Sequence, residues 1–219
     1  MSIIVGNTLI RRAEDDDTAP RLAQVFSSTK EELASIALAA VGAKNDSVPD
    51  DPINAPGQLG YIYGTRAVRV VFRAKGWLID RRDNIESTVQ PDTRVRIIYQ
   101  NTDTAGRLFP SPKAISDKGV AAERLIDLAE PFLFPDMEEE RKAKIAEAKK
   151  KENETVWFLC VASDESGIWA EISRPRYIKN NQFGEFIERI FLIEGILPPA
   201  TPLRRDDPDQ EYDIRVSRK

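Results

Sequence analysis

The residues best suited to chemistry begin with a basic run, Arg66, Arg69, Arg73, Lys75, Arg81 and Arg82, spaced around Trp77 and followed by Tyr99. Lysine and arginine supply a sequence-independent attraction for a phosphate backbone, and aromatic rings stack on bases, so this pattern points to DNA or RNA. The charge is uneven in the same sense. Residues 64–113 hold ten Lys or Arg against five Asp or Glu, a local net of +5 in a chain whose net charge is −4. The plainer alternative is a solvated helix face whose arginines pair with the acidic N-terminal region, as surface charge runs usually do.

Two further groups are candidates. Lys113, Ser116 and Lys118 stand where a helix should begin, and free backbone N–H groups at a helix start attract anions. The surroundings lack a Walker pattern, and Ser116 also reads as a simple N-cap. Asp164 opens the turn Asp164-Glu165-Ser166-Gly167, and Glu171 lies on the segment that returns from it. Oxygen ligands so placed are one way to hold magnesium, as restriction-endonuclease-like nucleases do on a comparable hairpin. The match is incomplete: Ser173 occupies the position where a lysine would follow the glutamate, and no Pro-Asp precedes the turn. As ordinary structure, Asp164 is a turn former and Glu171 a solvent-facing strand residue. Asp80, Asp83 and Glu86 form another acidic set, interleaved with arginines that suit surface pairs.

The chain contains no histidine, which excludes Ser-His-Asp, Cys-His and His-metal chemistry. Cys160 is the only cysteine, so no intrachain disulfide or multi-cysteine metal site forms, and its apolar neighbours predict a buried structural thiol. Dinucleotide, phosphate-loop, nucleophile-elbow and EF-hand patterns are absent. No cofactor is implied, magnesium entering only under the nuclease reading. The start Met1-Ser-Ile-Ile-Val-Gly lacks the basic leader and long apolar core of a secretory signal, and the apolar runs fall short of a bilayer span. These features predict a soluble cytoplasmic protein, bacterial or phage in character.

The elements that must position these groups read as follows. Thr29 and Glu32 make a capping box before Leu33, Ile36, Ala37 and Ala40, predicting a helix over 30–41 ended by Gly42. Residues 45–60, rich in Pro, Asp, Asn and Gly, predict a surface loop. Val68, Val71 and Phe72 recur at helical spacing up to Gly76, so the arginines from 66 to 73 lie on an amphipathic helix. Strands are predicted from Trp77 and over 94–99. A helix around Ala121–Ala129 and an exposed, charge-paired helix over 136–152 come next. Residues 155–162 and 168–173 make a hairpin. Phe183, Phe186, Ile187, Ile190 and Phe191 fall at i, i+3, i+4, i+7 and i+8, which predicts a helix. A Pro-rich link over 198–202 leads to an edge strand at Tyr212–Val216.

Helices and strands without regular alternation predict an α+β fold, a mainly antiparallel sheet with amphipathic helices packed on it, as one domain over 1–219. Residues 1–60 form its acidic N-terminal part and 198–219 its terminal link and strand. Three functions follow. The first is a nucleic-acid-associated protein using the basic helix. The second is a non-catalytic protein-protein interaction or assembly module, docking through the 183–191 helix or the terminal edge strand. The third is a magnesium-dependent nuclease using Asp164 and Glu171.

Overall fold

A computed structural model of the protein describes residues 2–116, 122, 123, 125, 126 and 154–196. The helices over 30–41 and 65–76 form, each longer than predicted. α1 spans Thr18–Phe26, α2 spans Lys30–Asn45 and α3 spans Ala55–Arg73. The Thr29 side chain accepts from the Glu32 backbone N–H while the Glu32 carboxylate accepts from that of Thr29, so the capping box starts α2. Gly42 does not stop α2, because neighbouring alanines are good helix formers and its buried face holds the helix on the sheet. The expected loop is correspondingly shorter, since Pro56 sits at the start of α3, where a missing N–H costs nothing. At the other end Gly76 takes φ +84° and the Trp77 N–H donates to the Phe72 carbonyl at 3.1 Å, a Schellman turn.

The strands are β1 (Ile3–Val5), β2 (Thr8–Arg11), β3 (Leu78–Asp80), β4 (Ser87–Val89), β5 (Val95–Asn101), β6 (Thr155–Asp164) and β7 (Gly167–Pro175). Beyond them lie the short pair β8 (Ile178–Lys179) and β9 (Gln182–Phe183), and then β10 (Phe186–Ile196). Eight of them form one sheet in the order β1-β2-β10-β7-β6-β5-β4-β3. The fold is α+β and the sheet mostly antiparallel, but β5 with β6 and β2 with β10 run parallel, so it is mixed. β6 and β7 form the expected hairpin, with Asp164 opposite Gly167.

The clearest departure is β10. In place of the expected helix over 183–191, Phe183 ends β9 and residues from Phe186 onward form β10, paired with β7 along its length and with β2 on the other side. Register shifts between Phe186 and Glu188, between Phe191 and Ile193 and between Glu194 and Ile196 interrupt its two-residue alternation. With both faces buried, the apolar residues then recur at spacings that mimic a helix.

The alternation of side chains divides the core in two. Ile97, Tyr99, Trp157, Leu159, Ala170 and Ile172 face the helices, where Leu22, Phe26, Leu33, Ile36, Val68 and Phe72 pack on them. Phe26 meets Trp157 edge-on, ring centroids 5.1 Å apart. Ile98, Val156, Phe158, Cys160 and Trp169 point to the opposite face, covered by Ala105, Ala114, Ala122, Ile126, Ile178 and Phe183. Cys160 is thus the buried core thiol its neighbours predict. The predicted helix over 136–152 and the edge strand over 212–216 lie outside the described residues. No helix among the described residues is long and apolar enough to cross a membrane.

Candidate functional site

The basic residues are brought together, but mostly with acids. Lys75 pairs with Glu32 and also donates to the Ser27 carbonyl at 2.8 Å. Arg69 and Arg81 share Glu86, while Arg82 meets Asp80 at 2.6 Å and Glu154 at 2.7 Å. Hydrogen bonds from Lys75 and Ser28 hold the Glu32 carboxyl at about 2, far below its usual value. Burial would raise Asp80, but hydrogen bonds from Arg96 and Arg82 prevail and bring it to about 2. These carboxylates therefore stay charged at neutral pH and neutralise the cations beside them. Only Arg66 and Arg73 of the six form no ion pair among the described residues.

Both lie on the outward face of α3. Ile62, Arg66, Val70 and Arg73 follow one another at helical spacing, and the Arg66 guanidinium stacks 4.5 Å above the Tyr63 ring. Ile62 is 47% exposed, Tyr63 42% and Val70 68%, so the face combines apolar, aromatic and unpaired cationic groups. Its inward side holds α3 close to the sheet: Gly64 faces the Tyr99 ring, where a Cβ would come within 2.3 Å of it.

Asp164 and Glu171 are not brought together. Asp164 pairs with Gly167 at the hairpin tip and Glu171 with Cys160, four ladder steps away, or about 13 Å at the usual strand rise. The Asp164 carboxylate accepts from the Ser166 N–H and hydroxyl, as a turn residue does. Glu171 is fully buried, contrary to a solvent-facing position. Arg189 donates to its two oxygens at 2.8 and 2.6 Å, Ser173 at 2.5 Å and the Gly106 N–H at 2.7 Å. Those bonds occupy both oxygens, and no cluster of three metal-ligating side chains occurs among the described residues. Lys113 and Ser116 are exposed, with the Lys113 N–H bound to Asp103, and Lys118 lies outside the described residues.

Three constellations escaped the sequence reading. Glu171–Arg189 is one, and Arg96 with Glu154 is a second buried pair, joined by Asp80 and Ser87. The third is a small cleft at the carboxyl ends of the parallel strands β5 and β6, a position where open α/β sheets often bind ligands. There the half-buried Lys44 of α2 donates to the Ser163 carbonyl at 2.8 Å and to its hydroxyl at 2.9 Å. Burial lowers the Lys44 pKa, and Asp164 only partly offsets this. The only local signal was a lysine at the end of an alanine-rich helix.

The chain matches no protein-family profile, and no curated protein and no solved structure is significantly similar to it.

Proposed function

We propose that the protein is a non-catalytic interaction module that docks a helix of a partner protein, acidic at its flanks and apolar at its centre, along the outward face of α3. One observation carries this reading: Arg66 and Arg73, without acidic partners among the described residues, share that face with Ile62, Tyr63 and Val70. Tyrosine and arginine around an apolar centre are what protein interfaces favour, and an amphipathic helix laid in such a place is a common docking mode. Of the two docking elements expected from sequence, the 183–191 helix is replaced by strand, with Phe186, Ile190 and Phe191 buried in β10, and the edge strand at Tyr212–Val216 lies outside the described residues.

A nucleic-acid reading draws on the same arginines, and magnitude decides between the two. Six phosphate contacts would give a salt slope of about −5 on duplex DNA, whereas two give about −2, with correspondingly weak binding at physiological salt. The apolar side chains between the arginines add nothing toward phosphates but suit a protein partner.

A photo-crosslinker at Val70 should capture a partner in the source cells. The purified pair should then bind at least tenfold more weakly, about 1.4 kcal/mol, when R66E and R73E are combined. R81E, which alters an exposed arginine already paired with Glu86, should leave binding within about twofold. Equal loss with R81E, or tight oligonucleotide binding with a salt slope near −5, would overturn the reading.

A further inference from the structure

The charge along α3 reverses from one end of the helix to the other. In the loop that joins α2 to α3, Asp46, Asp50 and Asp51 are exposed, and with them Val48 and the wholly exposed Ile53. Asp51 accepts from the Val48 N–H at 2.9 Å, which shapes the loop, but none of the three acids meets a cation among the described residues. At the far end Arg73, the last residue of α3, is exposed and has no acidic partner among them either. Between the two ends lie the exposed side chains of Ile62, Tyr63, Arg66 and Val70.

A helix with acids before its first turn and a cation at its last is complementary to itself. Two copies of α3 laid face to face and antiparallel, about a two-fold axis near the middle of the helix, bring each Arg73 to the acidic loop of the other copy, so that every contact occurs twice. Parallel packing would instead set Arg73 against Arg73 and loop against loop. At 1.5 Å per residue the 19 residues of α3 are about 28 Å long, so the unlike charges sit at the rim while the centre is left to apolar contact. There Ile62 and Val70 meet their counterparts, and the Arg66 guanidinium, stacked on Tyr63, adds the planar surface that interfaces favour.

We propose that the partner of the α3 face is a second copy of this chain, docked antiparallel through α3 with the 46–53 loop of each copy meeting Arg73 of the other. The inference rests on the docking reading of that face and names its occupant, since a helix with an acidic flank and an apolar centre is what α3 itself presents. One pair of helices of this length covers less than the roughly 1,600 Å² of a standard interface, so the dimer is weak, with a Kd of about 10–100 µM.

Sedimentation velocity of the full chain from about 5 to 500 µM tests this, and the wild type should dimerise within that range. R73E and the double variant D50K/D51K should each weaken self-association at least tenfold, because each sets like charges together at both ends of the interface. Mixed in equal amounts, the two variants should associate within about threefold of wild type, since the mixed dimer has opposite charges at both ends. The substituted positions are exposed, and melting curves check that each variant folds. A photo-crosslinker at Val70 should also join two purified wild-type chains, which decides the matter if a variant does not fold. A chain that stays monomeric at about 500 µM, or a mixture that associates no better than its components, overturns the inference. If the purified chain is monomeric while the Val70 crosslinker captures a different protein in the source cells, the second copy is overturned and the docking reading stands. If nothing is captured by either route, both fall.

Discussion

Glu171 shows how far a residue's role depends on what surrounds it. In sequence it is an acid on the return strand of a hairpin, a place where magnesium ligands occur. In the fold it lies beneath the 102–116 segment with its charge matched by Arg189 and its oxygens filled by Ser173 and Gly106. Its contribution is structural: an unmatched arginine in that position would be severely disfavoured. Glu171→Gln is therefore expected to destabilise the protein by about 3–5 kcal/mol, because it leaves the buried Arg189 charge uncompensated. Urea unfolding monitored by tryptophan fluorescence measures this, and a loss below about 1 kcal/mol would mean that water reaches the pair.

At the scale of elements, legibility followed locality. The α2 capping box, the Schellman turn at Gly76 and the β6–β7 hairpin were all readable, because each is decided within a few residues. β10 was not readable. Its bulges and its burial on both faces remove the alternation that marks a strand, and pairing with β7 and β2 outweighs its helical spacing. The close approach of α3 was also hidden, since Gly64 within a helix looks merely unfavourable. Replacing it with alanine would gain about 1 kcal/mol of helix propensity but drive a methyl into the buried Tyr99 ring. Gly64→Ala should therefore destabilise by about 1–2 kcal/mol net. A melting temperature above wild type would mean that the ring moves aside freely.

For the whole molecule, ion pairs link distant parts of the chain: Lys75 with Glu32, Arg82 and Arg96 with Asp80 and Glu154, and Arg11 and Arg21 with Glu188. Burial opposes the charged form of Glu188, yet the hydrogen bonds of Arg21 and Arg11 lower its pKa. Glu32 and Asp80 are brought down to about 2, so all three acids bind protons less readily folded than unfolded. Their stabilisation is complete above the unfolded values near 4 and fades as pH falls toward 2. The melting temperature should thus be flat from about pH 7 to 5 and fall steeply below about 4.5. Asp80→Asn should lower it at neutral pH but make the acid limb shallower, which calorimetry across pH can check.

By itself, the sequence determined the chemistry closed to the protein and much of its local structure. Without histidine, and with one cysteine in an apolar run, it excluded Ser-His-Asp, Cys-His, His-metal and multi-cysteine centres within this chain, leaving carboxylate and hard-metal chemistry open. It located the capped helix and the hairpin, and it marked the stretch where the arginines lie. Only the tertiary structure decided which of those arginines are neutralised, which acids are buried, and that Lys44 meets Ser163. The reason is separation along the chain. Lys44 and Ser163 are 119 residues apart, Arg96 and Glu154 are 58 apart, and Lys75 and Glu32 are 43 apart. A charge pattern read along the chain records how many cations a segment carries, but the fold decides which carboxylates reach them. Among the described residues it gives four of the six basic residues of the 66–82 run an acidic partner and leaves Arg66 and Arg73 without one.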